Sequence, residues 1–436
     1  MIFVVIVFTT LLYGAVHYAV LAATYVGIVV MLAFIASDWL MNGAIRVSRE
    51  PIQLILFLTG VYGLFQVIPF GTPGEIAGVT GISRTISLDP FATQVSAVHF
   101  LFLGVYFSIV LIVIDSASRL RKFAIFIAVL GFAYAFFAIL QSILSPTKIY
   151  GLLERPYAQP FGSFISRNNF AAWMELAIAV PMGMLFSGTI ERDKRLLYGT
   201  AVALMGVSLI VSGSRGGLVV LLLEIGLLFL LTYSFKSRSQ AWIRVLMIPG
   251  LLLAIVAGTV FVGGETSFTR LGQEEAEPIN SVSRLQMWGV TLKMIGDNMP
   301  FGVGLGAFGV AYTRYDVASG LERVEQAHND FLQVISDAGI VGAILGLAFL
   351  VLLFRLARRA LASKNAFRRG IAAGCLTGIF GALVHSIFDF GLHTTSIAIL
   401  FLTLLGVLAA SASAYEDDIV LEEDARARRR KRKSAA

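Results

Sequence analysis

SDAGIVGAILGLAFLVLLFRLARRALASKNAFRR, residues 336–369, decides the fold. Its run from 336 to 354 is apolar apart from Ser336 and Asp337, and residues 355–369 then carry Arg355, Arg358, Arg359, Lys364, Arg368 and Arg369. A helix needs about 20 apolar residues to cross a bilayer, and Lys and Arg collect in the short loops on the cytoplasmic side. One stretch therefore supplies both a membrane span and its direction. Working outward, similar runs occur at 2–13, 17–37, 52–69, 94–115, 123–143, 168–188, 196–213, 217–235, 243–263, 370–388 and 394–412. The expected fold is an all-α, polytopic integral membrane bundle of about twelve transmembrane helices. Composition agrees: 57% of the 436 residues are hydrophobic and 14% charged, against about 25% charged in soluble domains. An ordinary soluble protein is excluded.

Residues 2–37 are almost continuously apolar, and only Gly14 to His17 suggests a break; a single long helix there would leave eleven spans. No Lys or Arg precedes Arg46, so the start lacks the basic segment of a cleaved signal peptide and is expected to remain as a span. The single cysteine, Cys375, excludes internal disulfides and thiolate metal clusters.

The formal net charge of +7 lies in loops and tail rather than on a nucleic-acid surface, so nucleic acid is not an expected partner. Every second loop is basic, and these loops with the tail hold 24 of the 34 Lys and Arg. That side is read as cytoplasmic. The remaining ten, Arg84, Lys148, Arg155, Arg167, Arg215, Arg270, Arg284, Lys293, Arg314 and Arg323, then lie outside, where the topology rule does not require them. The outer face also receives one long loop, 264–335, whose length suggests function. Within it, Ser281 to Asp297 places Leu285, Trp288, Leu292 and Ile295 at helical spacing, as in an amphipathic helix lying on a membrane surface. Three regions follow: N-terminal transmembrane helices (1–150), a membrane region with the outer loop (151–412), and a charged tail (413–436) expected to be disordered in the cytoplasm and to touch anionic lipid.

His328 heads the segment HNDFLQ at the outer membrane surface. A lone histidine there can be a satisfied interfacial residue, but an imidazole titrating near neutrality is also the natural base for a hydroxyl. Arg215, in SGSRGG, can anchor a helix end at headgroups or clamp phosphate oxygens with its planar fork of donors. Arg167 in SRNNFAAW and Arg284 in SRLQMW occupy the same level, so three arginines and a histidine outline an anionic site. Asp389 closes the eleventh run, with His385 one helical turn before it; ionisable groups at such depth are functional candidates. A metal bound by His385, Asp389 and His393 is the other reading of that segment, disfavoured because no zinc spacing and no outer Asp-x-Asp pair accompany it. Glu175 and Glu224, within spans, are expected to pair internally. GLGAFG, Gly304–Gly309, matches GxGxxG in letters only, since no strand–helix unit surrounds it, and a tight turn is expected.

With these motifs together, the chain resembles the O-antigen ligase and polymerase superfamily of bacterial membrane glycosyltransferases. The resemblance rests on RNNFA at Arg167–Ala171, SRGG at Ser214–Gly217, SRLQMW at Ser283–Trp288, PFGVGLGAF at Pro300–Phe308, and the HN-x9-G-x-x-G spacing from His328 to Gly342. It implies a GT-C-like bundle in the bacterial inner membrane that moves a glycan from a polyprenyl (undecaprenyl) diphosphate carrier to an acceptor hydroxyl on the periplasmic face. The acceptor would be lipid A core for a ligase, or another lipid-linked glycan for a polysaccharide polymerase. By resemblance, His328, Arg215, Arg284 and Asp389 are catalytic, and Arg167, Asn168, Asn169 and Asn329 join the two arginines in binding diphosphate and glycan. No metal and no cofactor is implied. The competing class is a twelve-helix secondary transporter, which should show paired, related halves with broken helices; the outer loop occurs once and the arginine motifs crowd the second half.

Overall fold

A computed structural model of the chain describes residues 1–43, 47–76, 78–154, 159–233, 283–316 and 323–412. The helices are α1 (Ile2–Leu11), α2 (Tyr18–Asn42), α3 (Gln53–Gln66), α4 (Pro90–Val113), α5 (Ala117–Leu144), α6 (Arg167–Phe186), α7 (Arg195–Val211) and α8 (Arg215–Tyr233). They continue with α9 (Arg284–Asp297), α10 (Phe308–Thr313), α11 (Asp330–Leu361), α12 (Ala366–His385) and α13 (Thr395–Ala412). Two short antiparallel hairpins, Gly74–Ile76 with Val79–Ile82 and Lys148–Ile149 with Leu153–Glu154, link helices.

Among the described residues, 9 helices are long and apolar enough to cross a bilayer: α2, α4 to α8, and α11 to α13. The runs at 2–13 and 52–69 form helices of 10 and 14 residues, short of a full span. The run at 243–263 and the tail from 413 lie outside the described residues, as do 264–282 and 317–322 of the outer loop. α1 and α2 are separate helices. Between them Gly14 adopts φ +71°, and a Cβ there would come within 2.7 Å of Phe164, so the chain turns into the bundle where a continuous helix could not.

Every residue of α6 from Asn169 to Phe186 is buried, as is α13 from Thr395 to Ser411. Helices apolar all round are enclosed by neighbours, and these two form the centre. α6 runs antiparallel to α12 at close range: a Cβ on Gly183 would lie 2.5 Å from the Cα of Gly374. Small residues serve here because lipid gives no hydrophobic drive between helices, and dispersion contact between backbones replaces it. The outer helices leave Leu230, Leu347 and Phe354 exposed, as acyl chains permit and water would not.

Chain alternation brings the N-termini of α6, α8, α11 and α13 and the C-terminus of α12 to one end of the bundle. α11 begins at Asp330, earlier than the apolar run implied, and bends at Gly339 (φ +57°, ψ −140°). Residues 300–306 dock into the bend: Ile340 N–H donates to the Pro300 carbonyl at 2.9 Å, Val303 N–H to Ser336 at 2.9 Å and Gly304 N–H to Asp337 at 3.0 Å. Gly306 N–H donates to the Asp337 carboxylate at 3.0 Å. The glycines of GLGAFG are therefore packing glycines in a tight turn, and a Cβ on Gly306 would sit 2.2 Å from the Ser96 hydroxyl.

Gln66, wholly buried at the end of α3, ties this segment down. Its amide donates to the carbonyls of Phe301 (3.0 Å) and Asp337 (2.9 Å), and its oxygen accepts from Leu305 N–H (3.0 Å). Gln66→Leu strands Leu305 N–H, at a cost of about 1–3 kcal/mol if no water reaches it, and takes one of two donors from the carbonyls of Phe301 and Asp337, which keep the Tyr62 hydroxyl and Gly304 N–H. The thermal midpoint of the purified protein is expected to fall by several degrees; an unchanged midpoint would show that the 300–306 segment holds itself.

Candidate active site

His328 stands immediately before the cap of α11, with φ +49°, a conformation rare outside glycine. Asn329 is the cap, its side chain accepting Leu332 N–H at 3.0 Å. The left-handed turn carries the imidazole over the end of α12, where Nδ1 lies 3.1 Å from Oδ1 of Asp389. The same oxygen accepts Phe390 N–H at 2.9 Å, and the Phe390 ring meets the imidazole edge-on at 4.8 Å. The Asp389 side chain is 5% exposed and that of His328 33%. Burial alone would raise the Asp389 carboxyl, but the hydrogen bond and charge of His328, with His385 and Phe390 N–H, hold it down at about 2. An ionised carboxylate only accepts, so Nδ1 of His328 carries the proton of this bond, and in the neutral ring Nε2 is the nitrogen with the lone pair.

A second pair lies beside the first. Asp330, at the start of α11, receives His393 Nδ1 at 2.6 Å on one oxygen and the Ser386 hydroxyl at 2.7 Å on the other. Histidine and carboxylate are thus exchanged twice between the start of α11 and the segment after α12. Asp330 escaped the sequence reading because an acidic residue in the first turn of a helix is ordinary. Burial disfavours the His393 imidazolium, but the Asp330 charge and hydrogen bond, helped by Asp337, leave its pKa raised. With the folded value above the ordinary 6.5, this pair stabilises the fold fully below that pH and ceases to as pH rises through the folded value. Thermal midpoints measured on the alkaline side should therefore decline with pH, and His393→Gln should flatten that decline. An identical slope in the variant would contradict the pairing.

A third pair is fully enclosed. His385 Nδ1 sits 2.9 and 3.1 Å from the two oxygens of Glu175. Glu224 departs from expectation, because neither of its oxygens has a hydrogen-bond partner among the described residues. Its carboxyl fills the space left by Gly381, where a Cβ would be 2.2 Å from Oε1. His385, Asp389 and His393 thus go to three different partners. Among the described residues no three His, Cys, Asp or Glu side chains converge as a metal site would require.

Arg167 and Arg215 open α6 and α8, and the Ser214 hydroxyl donates to Asn168 Oδ1 at 2.9 Å, joining the RNNFA and SRGG motifs at one corner. Asn169 is buried behind them. Gly217 lets α8 close on α6, since a Cβ there would lie 2.8 Å from that of Ala171, and Gly216 faces the His385 ring. That corner is one turn from Asp389, whose N–H donates to the His385 carbonyl at 3.0 Å. Arg284 arrives on α9, where it is exposed. One turn later Trp288 Nε1–H donates to the Ala327 carbonyl at 3.1 Å, next to His328. The α9 face buried against the protein is Met287, Thr291 and Met294, whereas Leu285 and Leu292 stay exposed. Of the stripe Leu285, Trp288, Leu292 and Ile295, expected to face a membrane surface, Leu285 and Leu292 are thus left uncovered by the protein. Four helix N-termini, with their partial positive charge, open at this end.

Residues 200–347 match the O-antigen ligase family. The match supports placing this multi-pass membrane protein in the O-antigen ligase and polymerase superfamily, with the ligase or polymerase type of function in polysaccharide biosynthesis that the family carries. The matched region includes Arg215, Arg284, His328 and Asn329; Arg167, Asn168, Asn169 and Asp389 reach the same end of the bundle from outside it. No curated protein matches the chain.

Proposed function

We propose that the protein transfers a glycan from a polyprenyl (undecaprenyl) diphosphate carrier to an acceptor hydroxyl at the periplasmic face of the bacterial inner membrane. The acceptor is lipid A core if the protein is an O-antigen ligase, or a second lipid-linked glycan if it is a polysaccharide polymerase. The observation that carries this reading is the His328–Asp389 pair, set at the bundle end where Arg167 and Arg215 open their helices. The Lys and Arg bias of the opposite loops supports assigning that end to the periplasm.

In this reading His328 Nε2 takes the acceptor hydroxyl proton while the oxygen attacks the anomeric carbon. The carbon–oxygen bond to phosphate breaks, and its electron pair leaves with the diphosphate. Asp389 holds the imidazole in the useful tautomer and stabilises the imidazolium that forms. Arg215 and Arg284, with Arg167, meet the charge that develops on the leaving group, an effect largest where the donors are fixed in advance. Direct attack inverts the anomeric configuration. Asn168 and Asn329 hold the arginine corner and the α11 cap, so their contribution to substrate is through position.

Carrier-linked glycans sized in cells with and without the protein, alongside the His328→Ala variant, test the reading. Long chains stranded on the carrier mark a ligase, and accumulated single repeats mark a polymerase. An unchanged distribution rejects the proposal and favours transport.

A further inference from the structure

The SRGG turn and the Glu175–His385 pair belong to different stretches of sequence yet form one piece of structure. Glu175, 0% exposed, occupies both its oxygens with one ring nitrogen of His385, which is 3% exposed. Fixing Nδ1 in this way turns the far edge of the ring toward the first turn of α8. There a Cβ on Gly216 would lie 3.7 Å from Cε1 and 3.8 Å from Nε2, and one on Gly217 would lie 3.3 Å from Glu175 Oε1. Nε2 has no hydrogen-bond partner among the described residues. A ring that only stapled α6 to α12 would need neither the second nitrogen nor a bare backbone beside it. Imidazole Nδ1–H held by a carboxylate leaves Nε2 directed at one place, and that place is the N-terminus headed by Arg215.

We propose that His385, oriented by Glu175, is a further phosphate-binding residue, its Nε2 contacting the diphosphate of the lipid-linked donor at the N-terminus of α8. This rests on the donor assignment made above and adds a contact to it. Glu175 is a positioning residue: it keeps the ring facing α8 and stabilises the imidazolium that donates Nε2–H to a phosphate oxygen. The glycines of SRGG are then required because any side chain at Gly216 would enter the space between ring and ligand.

The test uses the full-length protein in nanodiscs and undecaprenyl diphosphate as the probe, with donor KM and kcat measured in parallel. His385→Leu is expected to weaken probe binding and raise donor KM by about tenfold or more, the loss typical of a charge-assisted hydrogen bond. Acceptor KM should not move. His385→Gln, whose amide can place a donor near Nε2, should recover part of the loss, and a merely structural pair would give no such recovery. Gly216→Ala makes only ordinary contact with the ring, so it tests the same space without disturbing the buried pair; it should weaken the probe as well. Wild-type affinity for the probe in His385→Leu or in Gly216→Ala, with Arg215→Ala defective, overturns this inference alone. A wild-type protein that does not bind the probe at all overturns the donor assignment and this inference with it.

Discussion

His328→Ala is expected to lower glycan transfer by roughly a hundredfold or more, the contribution of a positioned general base, with membrane abundance unchanged. The side chain is 33% exposed and, among the described residues, makes one hydrogen bond, to Asp389, so its removal leaves no packed core disrupted. What is lost is the nitrogen that takes the proton. Asp389→Asn separates this from simple contact: the amide keeps the shape but can offer its NH₂ to Nδ1, which then favours the other tautomer and points N–H rather than a lone pair at the acceptor. Its activity should drop strongly with the donor KM little changed. Since the Asp389 carboxyl sits near 2, it remains ionised across any usable pH range. Full activity of His328→Ala in a membrane-extracted assay would remove that residue from the chemistry.

Gly339→Ala is expected to have the largest effect on the fold. Its φ of +57° with ψ −140° is open to glycine alone in practice, and a Cβ would lie 2.0 Å from the Pro300 carbonyl oxygen. Backbone strain and overpacking each cost about 1–3 kcal/mol, and here both fall where 300–306 docks into the bend. The variant should lose folded protein and activity together. Gly346→Ala, on the same helix with nothing within 4 Å of its Cβ, is the control and should behave as wild type. A stable, active Gly339→Ala would mean that the bend can open without cost.

Hydropathy located α2, α4 to α8 and α11 to α13 correctly because a span must bury about 20 residues of apolar length, a one-dimensional requirement. It overestimated α1 and α3, since apolar residues also fill the space beside a turn: Gly14 and Gln66 end those helices through contacts with residues far along the chain. For α9 the spacing of Leu285 and Leu292 gave the helix and a stripe left uncovered by the protein, but not the face that docks, Met287, Thr291 and Met294, which depends on partners elsewhere in the chain. GLGAFG was read correctly as a turn from its lack of a surrounding strand and helix.

Site residues were legible to different depths. His328, Arg215 and Arg167 stood out because a charged or titratable group at the edge of an apolar run is expensive unless used. Glu175, His385 and His393 were visible as ionisable groups in or near spans but without their partners, Asp330 gave no signal, and each makes sense only beside its partner. The pairs join residues 210, 63 and 61 positions apart. Span positions and the basic loops follow from transfer free energies that each segment pays separately, so local composition was enough for them. Which carboxylate holds which histidine, which glycine admits a neighbour and which face of α9 docks depend on helices meeting at ångström range, and no single segment carries that information.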